Sequence, residues 1–472
     1  MKRIFILKNT NMQAINQLMK RVTYLLYFFI IVSVSAINAQ NSSVISKSNK
    51  TVASIDSLSS NSVYKPVLSS SNTKIMNWAI TTDPFYKLYL SSLTTYYSLF
   101  VPTDEYLDNY IDPIAYGQDK QGVLKFWYNS NTATVNATVY KYDKQIGIVG
   151  DSVGVITNQT FLSTRLVDLL NSHIVVGDVQ SGKSFYMTRG NVPLKIEGSG
   201  IFMTVKGGAD IENATTATAT PPHVMNVYSQ TNGKTYFLNK PISPTLKSVY
   251  KVLSETPEFS SFYSLLVGFD NILITGSPIF GNIYGIDYNV KFFKTYNYTV
   301  YVPTNAAIQQ AISNGIIIPW DSQGSIVGIY NMTDKTTRDA AISKLERFLR
   351  YHFQDNSVFV DNLSVDKVYQ SATIKNVDGA TGFGTSKNKF YKIRVSGNGS
   401  DLTLTTETGK TAHVLTENGL YNILTRDYVF SNRPTSFKNI DGTGTGTDFS
   451  TSSISTSSTA VIHQIDNVLT FE

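Results

Sequence analysis

Five histidines are the residues of this 472-residue sequence best suited to acid–base or metal chemistry, since an imidazole changes charge near neutral pH and no cysteine is present to supply a thiolate. His173 and His352 each close a row of apolar residues at helical spacing. One row is Leu166, Leu169, Leu170 and His173, and the other is Leu345, Phe348, Leu349 and His352. A histidine ending such a stripe reads as a buried ring hydrogen-bonded to backbone rather than as a base. His463 and Asp466 lie three apart in a strand-like run, which sends their side chains to opposite faces. They are not an acid–base pair. His223 follows Pro221-Pro222 in a loop, and His413 sits in the strand-like stretch 411–415, where a sheet or surface role is expected. The sequence has neither the His-x-x-x-His spacing nor the clustered acids of a metal site, so no metal and no cofactor is expected.

Hydrolysis of glycans would need two opposed carboxylates about 5–10 Å apart, and no pair among the 34 acids is distinguished by its surroundings. In Gly379-Ala380-Thr381-Gly382-Phe383-Gly384 the glycines fall in the wrong order for a nucleotide-binding turn, and no helix is readable after them, so the segment reads as a loop. The Thr/Gly/Ser-rich run 441–459 reads as a flexible loop before a last strand. The net charge of +6 suggests nucleic acid at first sight, but five basic residues (Lys2, Arg3, Lys8, Lys20 and Arg21) precede residue 40, where no acid occurs. The remaining chain is close to neutral and has no run of Lys/Arg to follow a phosphate backbone, which excludes nucleic acid as a partner.

Those early basic residues belong to a leader. Met19-Lys20-Arg21 precedes the 13-residue apolar block 24–36, and Ala36-Ile37-Asn38-Ala39-Gln40 follows it. That is the order of a secretory signal peptide, residues 1–39, cut after Ala39, with the true start possible at Met19. Thirteen helical residues span about 20 Å of a roughly 30 Å hydrocarbon layer. No transmembrane segment is expected once the signal is removed. Residues 40–75, rich in Ser, Asn and Lys and without periodicity, read as a polar spacer.

Elements recur in the same order in residues 76–245 and 246–472, as two diverged copies. Asp83-Pro84-Phe85-Tyr86 pairs with Thr256-Pro257-Glu258-Phe259, each a proline in a first helical turn. Tyr97-Ser98-Leu99-Phe100-Val101-Pro102-Thr103-Asp104 pairs with Tyr298-Thr299-Val300-Tyr301-Val302-Pro303-Thr304-Asn305, a strand stopped by proline before a helix capped by threonine. The two histidine stripes form the third pair, with strands expected at 175–178 and 185–187 in the first copy and at 358–361 and 390–395 in the second. Tyr236-Phe237-Leu238-Asn239-Lys240-Pro241-Ile242 and His463-Gln464-Ile465-Asp466-Asn467-Val468-Leu469 close the copies with strands.

These residues resemble the fasciclin family. Tyr301-Val302-Pro303-Thr304-Asn305 looks like its first box, Leu349-Arg350-Tyr351-His352 like its tyrosine–histidine motif, and Val461-Ile462-His463-Gln464-Ile465-Asp466-Asn467-Val468-Leu469 like its closing box. In the first copy Pro102, Thr103, Asp104 and His173 fit, while Ser172 stands where tyrosine would be. The resemblance implies an α+β chain of two tandem fasciclin-like domains, each a β-sandwich or wedge with several packed helices. It further implies a bacterial surface or envelope protein that adheres to cells or binds a protein or glycan partner without catalysis. The runner-up is an envelope enzyme acting on glycans. The family-motif residues, His463 and Asp466 included, are expected to be structural. The first copy is longer between Thr103 and His173, and the excess holds two aromatic, β-branched runs, 123–128 and 134–142, that read as an inserted hairpin. Its Trp127, Tyr128, Tyr140 and Tyr142 are candidate binding residues; alternating residues of the hairpin could equally cover the first copy.

Overall fold

The centre of each half of the chain is a strand with no solvent-facing side. Every residue of Tyr97–Pro102 is buried, and so is every residue after the first of Asn297–Pro303. Burial on both faces calls for a continuous apolar run instead of an alternation, and Leu-Phe-Val and Val-Tyr-Val supply it. The computed structural model describes residues 62–107, 110–111, 121–143, 148–182, 185–212, 220–272, 277–283, 286–292, 297–362, 364–375, 389–431 and 453–471. The expected leader, residues 40–61 of the spacer and the glycine loop at 379–384 lie outside the described residues.

Around the two central strands the same topology is built twice. Tyr97–Pro102 lies parallel to Gly233–Leu238, in register from Tyr97↔Gly233 to Pro102↔Leu238, and antiparallel to Ile174–Val176. Asn297–Pro303 lies parallel to Ser453–Ile465, from Asn297↔Thr459 to Pro303↔Ile465, and antiparallel to Phe353–Asp355. On the far side of each parallel partner runs an antiparallel strand, Val224–Gln230 in the first half and Ile423–Ser431 in the second. On the other side the ladder narrows to one residue pair, Val175↔Thr188 or Gln354↔Ser371. It then widens again into Tyr186–Met187, Pro193–Glu197 and Thr204–Lys206, or into Val365–Ile374, Phe390–Gly397, Leu402–Thr406 and Thr411–His413.

A sheet pinched in this way folds over, and each half has two cores. Alternation along the central strand sends Leu99 and Val101 toward the helices and Phe100 into the fold of the sheet, against Leu194, Ile196 and Val205. In the second half Val300 and Val302 face the helices, while Tyr301 meets Ile393, Val395 and Leu404. The helix Gln159–Asn171 is started by Asn158, whose side chain accepts from the Phe161 N–H, and Lys335–Tyr351 by Asp334, which accepts from the Thr337 N–H.

Several expectations need correction. The spacer expected over residues 40–75 ends by residue 62: Lys65–Ser69 and Lys74–Thr82 are helices, and Val63, Val67, Ile75 and Met76 are buried in the first core. The Pro84 and Pro257 helix starts both exist, but they are not equivalent. Asp104 accepts from the N–H groups of Lys74 and Ile75 at 2.9 and 3.0 Å, and Asn305 accepts from the Ser261 N–H at 2.9 Å. The residue after each threonine thus caps an earlier helix, which equates Lys74–Thr82 with Ser260–Val267. Pro102 is followed by a three-residue 3-10 turn, Asp104–Tyr106, and Thr103 makes no capping bond, whereas Thr304 caps Asn305–Ser313 by accepting from the Ala307 N–H. The strand expected at 358–361 is instead Phe353–Asp355, immediately after His352. Residues 453–459, expected to be loop, already belong to the closing strand. The inserted hairpin is part of a four-stranded antiparallel sheet of Tyr110–Ile111, Gln121–Asn129, Thr134–Asp143 and Ile148–Ile156.

Candidate functional site

The two stripe histidines occupy the same position in their halves and make the same bonds. The His173 Nδ1–H donates to the Leu169 carbonyl at 2.7 Å and Nε2 accepts from the Ile242 N–H at 2.9 Å. The His352 Nδ1–H donates to the Phe348 carbonyl at 2.9 Å and Nε2 accepts from the Leu469 N–H at 3.0 Å. In addition, each histidine carbonyl accepts from the central strand, from Phe100 or Tyr301 N–H, both at 2.9 Å. One residue therefore satisfies an orphan carbonyl at the end of a helix and ties that helix to the central strand and to the chain beyond the closing strand. Burial pushes both imidazoles down to about 4. With both nitrogens engaged by backbone and the neutral form favoured, neither ring can take up a substrate proton near neutral pH.

His463 is held comparably. Its Nε2–H donates to the Val358 carbonyl at 2.9 Å, Nδ1 accepts from the Asn422 N–H at 3.2 Å, and burial lowers it to about 4. Asp466 turns elsewhere and accepts from the His413 N–H at 2.7 Å. Pro102 and Pro303 end the central strands, after which the Thr103 and Thr304 N–H groups bond to Leu238 and Ile465 carbonyls. The Tyr351 hydroxyl donates to the Lys392 carbonyl, anchoring its helix to the wide outer sheet. That outer sheet has only short strands in the first half, where Ser172 takes the place of Tyr351 and bonds within its own helix. Among the described residues no three His, Asp or Glu converge as a metal-holding group, and no helix is long and apolar enough to cross a membrane.

The four aromatic candidates of the insertion do not form one patch. Tyr128 lies on the face carrying Leu124, Phe126, Val135, Ala137 and Val139, which closes over the helix Lys74–Thr82 through Met76, Ala79 and Ile80. Trp127, 38% exposed, and the half-buried Tyr140 stand on the opposite face. Tyr142 pairs with Gln121 in the ladder, and its side chain lies outside the described residues.

The corresponding helix of the second half, Ser260–Val267, is flanked instead by Asn305–Ser313 and the loop 317–330, and a groove of about 280 Å³ lies between the three. Beneath it lies a ring pair, buried Trp320 and half-buried Tyr330. Trp320 stacks on Tyr330 with centroids 5.2 Å apart and meets Phe269 edge-on at 4.7 Å. The Trp320 Nε1–H donates to the Leu265 carbonyl at 2.8 Å, and the Tyr330 hydroxyl donates to the Gly268 carbonyl at 2.7 Å while accepting from Asn271 Nδ2 at 3.0 Å. Gly268 makes this possible, for a Cβ there would stand 2.1 Å from Trp320 Nε1. The loop is equally fixed: Tyr330 N–H bonds to the Trp320 carbonyl, Ile329 N–H to Pro319, and Ser322 Oγ accepts from the Gly328 N–H while donating to Asn331 Oδ1. Exposed Asn271, Gln309, Asp321 and Gln323 line the groove. Sequence reading missed these residues. The signal available was the loop between the aromatic residues Trp320 and Tyr330, in which the polar run Asp321-Ser322-Gln323-Gly324-Ser325 precedes Ile326 and Val327.

No family model and no curated protein matches this chain. Among solved structures it is similar to a FAS1 domain pair from the insect cell adhesion molecule fasciclin I, at 13% identity over 65% of this chain and 81% of that one, with a TM-score of 0.22.

Proposed function

We propose that this chain is an exported surface or envelope protein with two tandem fasciclin-like domains, one starting near residue 62 and the other running from 246 to 472. It works by binding a protein or glycan partner and performs no catalysis. The observation that carries this reading is the groove beside Ser260–Val267, where half-buried Tyr330, held rigid on the buried Trp320, meets exposed carboxamide and carboxylate side chains, the composition of a recognition site. The three buried imidazoles, His173, His352 and His463, are occupied in holding the scaffold. The leader at 24–36 supplies the route out of the cytoplasm.

Labelled full-length product, purified from the cell exterior and titrated onto intact cells and isolated envelopes, tests this. Saturable retention, displaced by unlabelled protein, supports it. Absence of saturable retention overturns it, and release of reducing ends from envelope glycans would favour the enzyme reading instead. N-terminal sequencing of the same material tests export directly, with Gln40 expected as the first residue.

A further inference from the structure

The groove in the second half has chemistry specific enough to name its ligand class. We infer that it takes a neutral saccharide of one or two rings, an inference that rests on the reading of this chain as a binding protein.

Size comes first. A volume of about 280 Å³ lies just below the roughly 300–1,000 Å³ usual for small-molecule sites, enough for one or two sugar rings and too little for a folded peptide element. Charge narrows the class further. Asp321 is the sole charged side chain lining the groove among the described residues, and no lysine or arginine lines it. A phosphate, sulfate or uronic acid would therefore meet a carboxylate with no cation to offset it.

Surface character completes the assignment. A pyranose has an apolar face of C–H bonds and an equator of hydroxyls, each a donor and an acceptor at once. Half-buried Tyr330, stacked on the buried Trp320, offers the first a partner. Asn271, Gln309 and Gln323 offer the second carboxamides that both donate and accept, and Asp321 adds acceptors. The site is also rigid before any ligand arrives. Trp320 and Tyr330 are pinned by hydrogen bonds to the Leu265 and Gly268 carbonyls, so little ordering entropy opposes binding.

Tryptophan fluorescence gives the readout, because the chain has three tryptophans and Trp78→Phe with Trp127→Phe leaves Trp320 alone beside the groove. The full chain carrying both replacements would be titrated with cellobiose, maltose, chitobiose and N-acetylglucosamine, with galacturonic acid and a neutral hexapeptide as controls. Saturable change with at least one neutral sugar is expected, and none with galacturonic acid or the peptide. Ser264→Phe, which fills the groove from an exposed helix position, should weaken that binding at least about tenfold. Gln309→Ala should weaken it by about threefold to tenfold, with an unchanged thermal transition for both variants. Silence across the neutral sugars, preference for the acid or the peptide, or full binding by Ser264→Phe overturns the inference. Saturable envelope retention that survives Ser264→Phe would leave the binding function standing while removing the groove as its saccharide site.

Discussion

The helices Lys74–Thr82 and Ser260–Val267 occupy the same place, each capped by the residue that follows the central strand's Pro-Thr, yet their surroundings are opposite. In the first half the inserted four-stranded sheet lays Leu124, Phe126 and Tyr128 over the helix. In the second, Asn305–Ser313 and the loop 317–330 pack against the helix instead, and the groove lies between the three. An insertion rich in aromatics attracts attention as a binding device; one full face of it covers this helix, while Trp127 and Tyr140 stand on the other face. Beneath that contrast the two halves keep one clamp, the doubly bonded imidazole.

The clamp predicts the largest effect. His173, His352 and His463 fall to about 4 in the folded chain from an ordinary 6.5. The unfolded chain therefore binds protons first as pH drops, and stability is lost between about pH 6.5 and 4. At pH 4.5 the loss is roughly 2–3 kcal/mol per ring. Asp210 opposes this in part: burial pushes it up to about 6, so it favours the folded chain as pH falls below that value. Urea unfolding at pH 7, 5.5 and 4.5 should record a steep net loss. His173→Gln and His352→Gln should each flatten the curve by one proton's worth, and flattening by only one of them would break the equivalence of the halves.

A second effect concerns their junction. Arg426, 2% exposed, places one guanidinium nitrogen 2.7 Å from both carboxylate oxygens of Asp168 on the first half's histidine helix. Arg426→Met leaves the acid buried beside a thioether and should cost about 3–5 kcal/mol, with much of it recovered by adding Asp168→Leu. A calorimetric trace of the single variant that splits into two transitions would indicate that this pair couples the halves. Next comes Gly268→Ala, whose methyl displaces Trp320 and should cost about 1–3 kcal/mol, visible as a change in near-UV circular dichroism. The smallest contrast lies in the threonines. Thr304→Val removes a cap and should cost about 1 kcal/mol. Thr103→Val should be close to neutral, because Thr103 Oγ1 is buried without a hydrogen-bond partner among the described residues.

These contrasts also mark where sequence reading reached its limit. Leu166 to His173 and Leu345 to His352 were legible because helical periodicity is a local signal, and the ring's role followed from its place on the stripe. The start of the first half was not. Pro84 and Pro257 are both genuine helix openers, and matching them by local pattern set the boundary too late. The true equivalence is carried by Asp104 reaching back 30 residues to Lys74 and Asn305 reaching back 44 to Ser261, contacts that no local window contains. Tyr128 and Trp127 looked alike until the pairing register assigned them to opposite faces. The groove was invisible for the same reason, since Trp320 rests on a backbone 55 residues away, at Leu265.

The clamp also sets a timetable for folding. His173 waits for an N–H 69 residues downstream, and His352 for one 117 residues downstream, while each central strand waits for the last strand of its half. Such high contact order makes folding slow relative to a helical bundle of equal size. On the ribosome the second half remains incomplete until Leu469 is made, and a chain stopped before it leaves the His352 acceptor empty however much of the sequence precedes it.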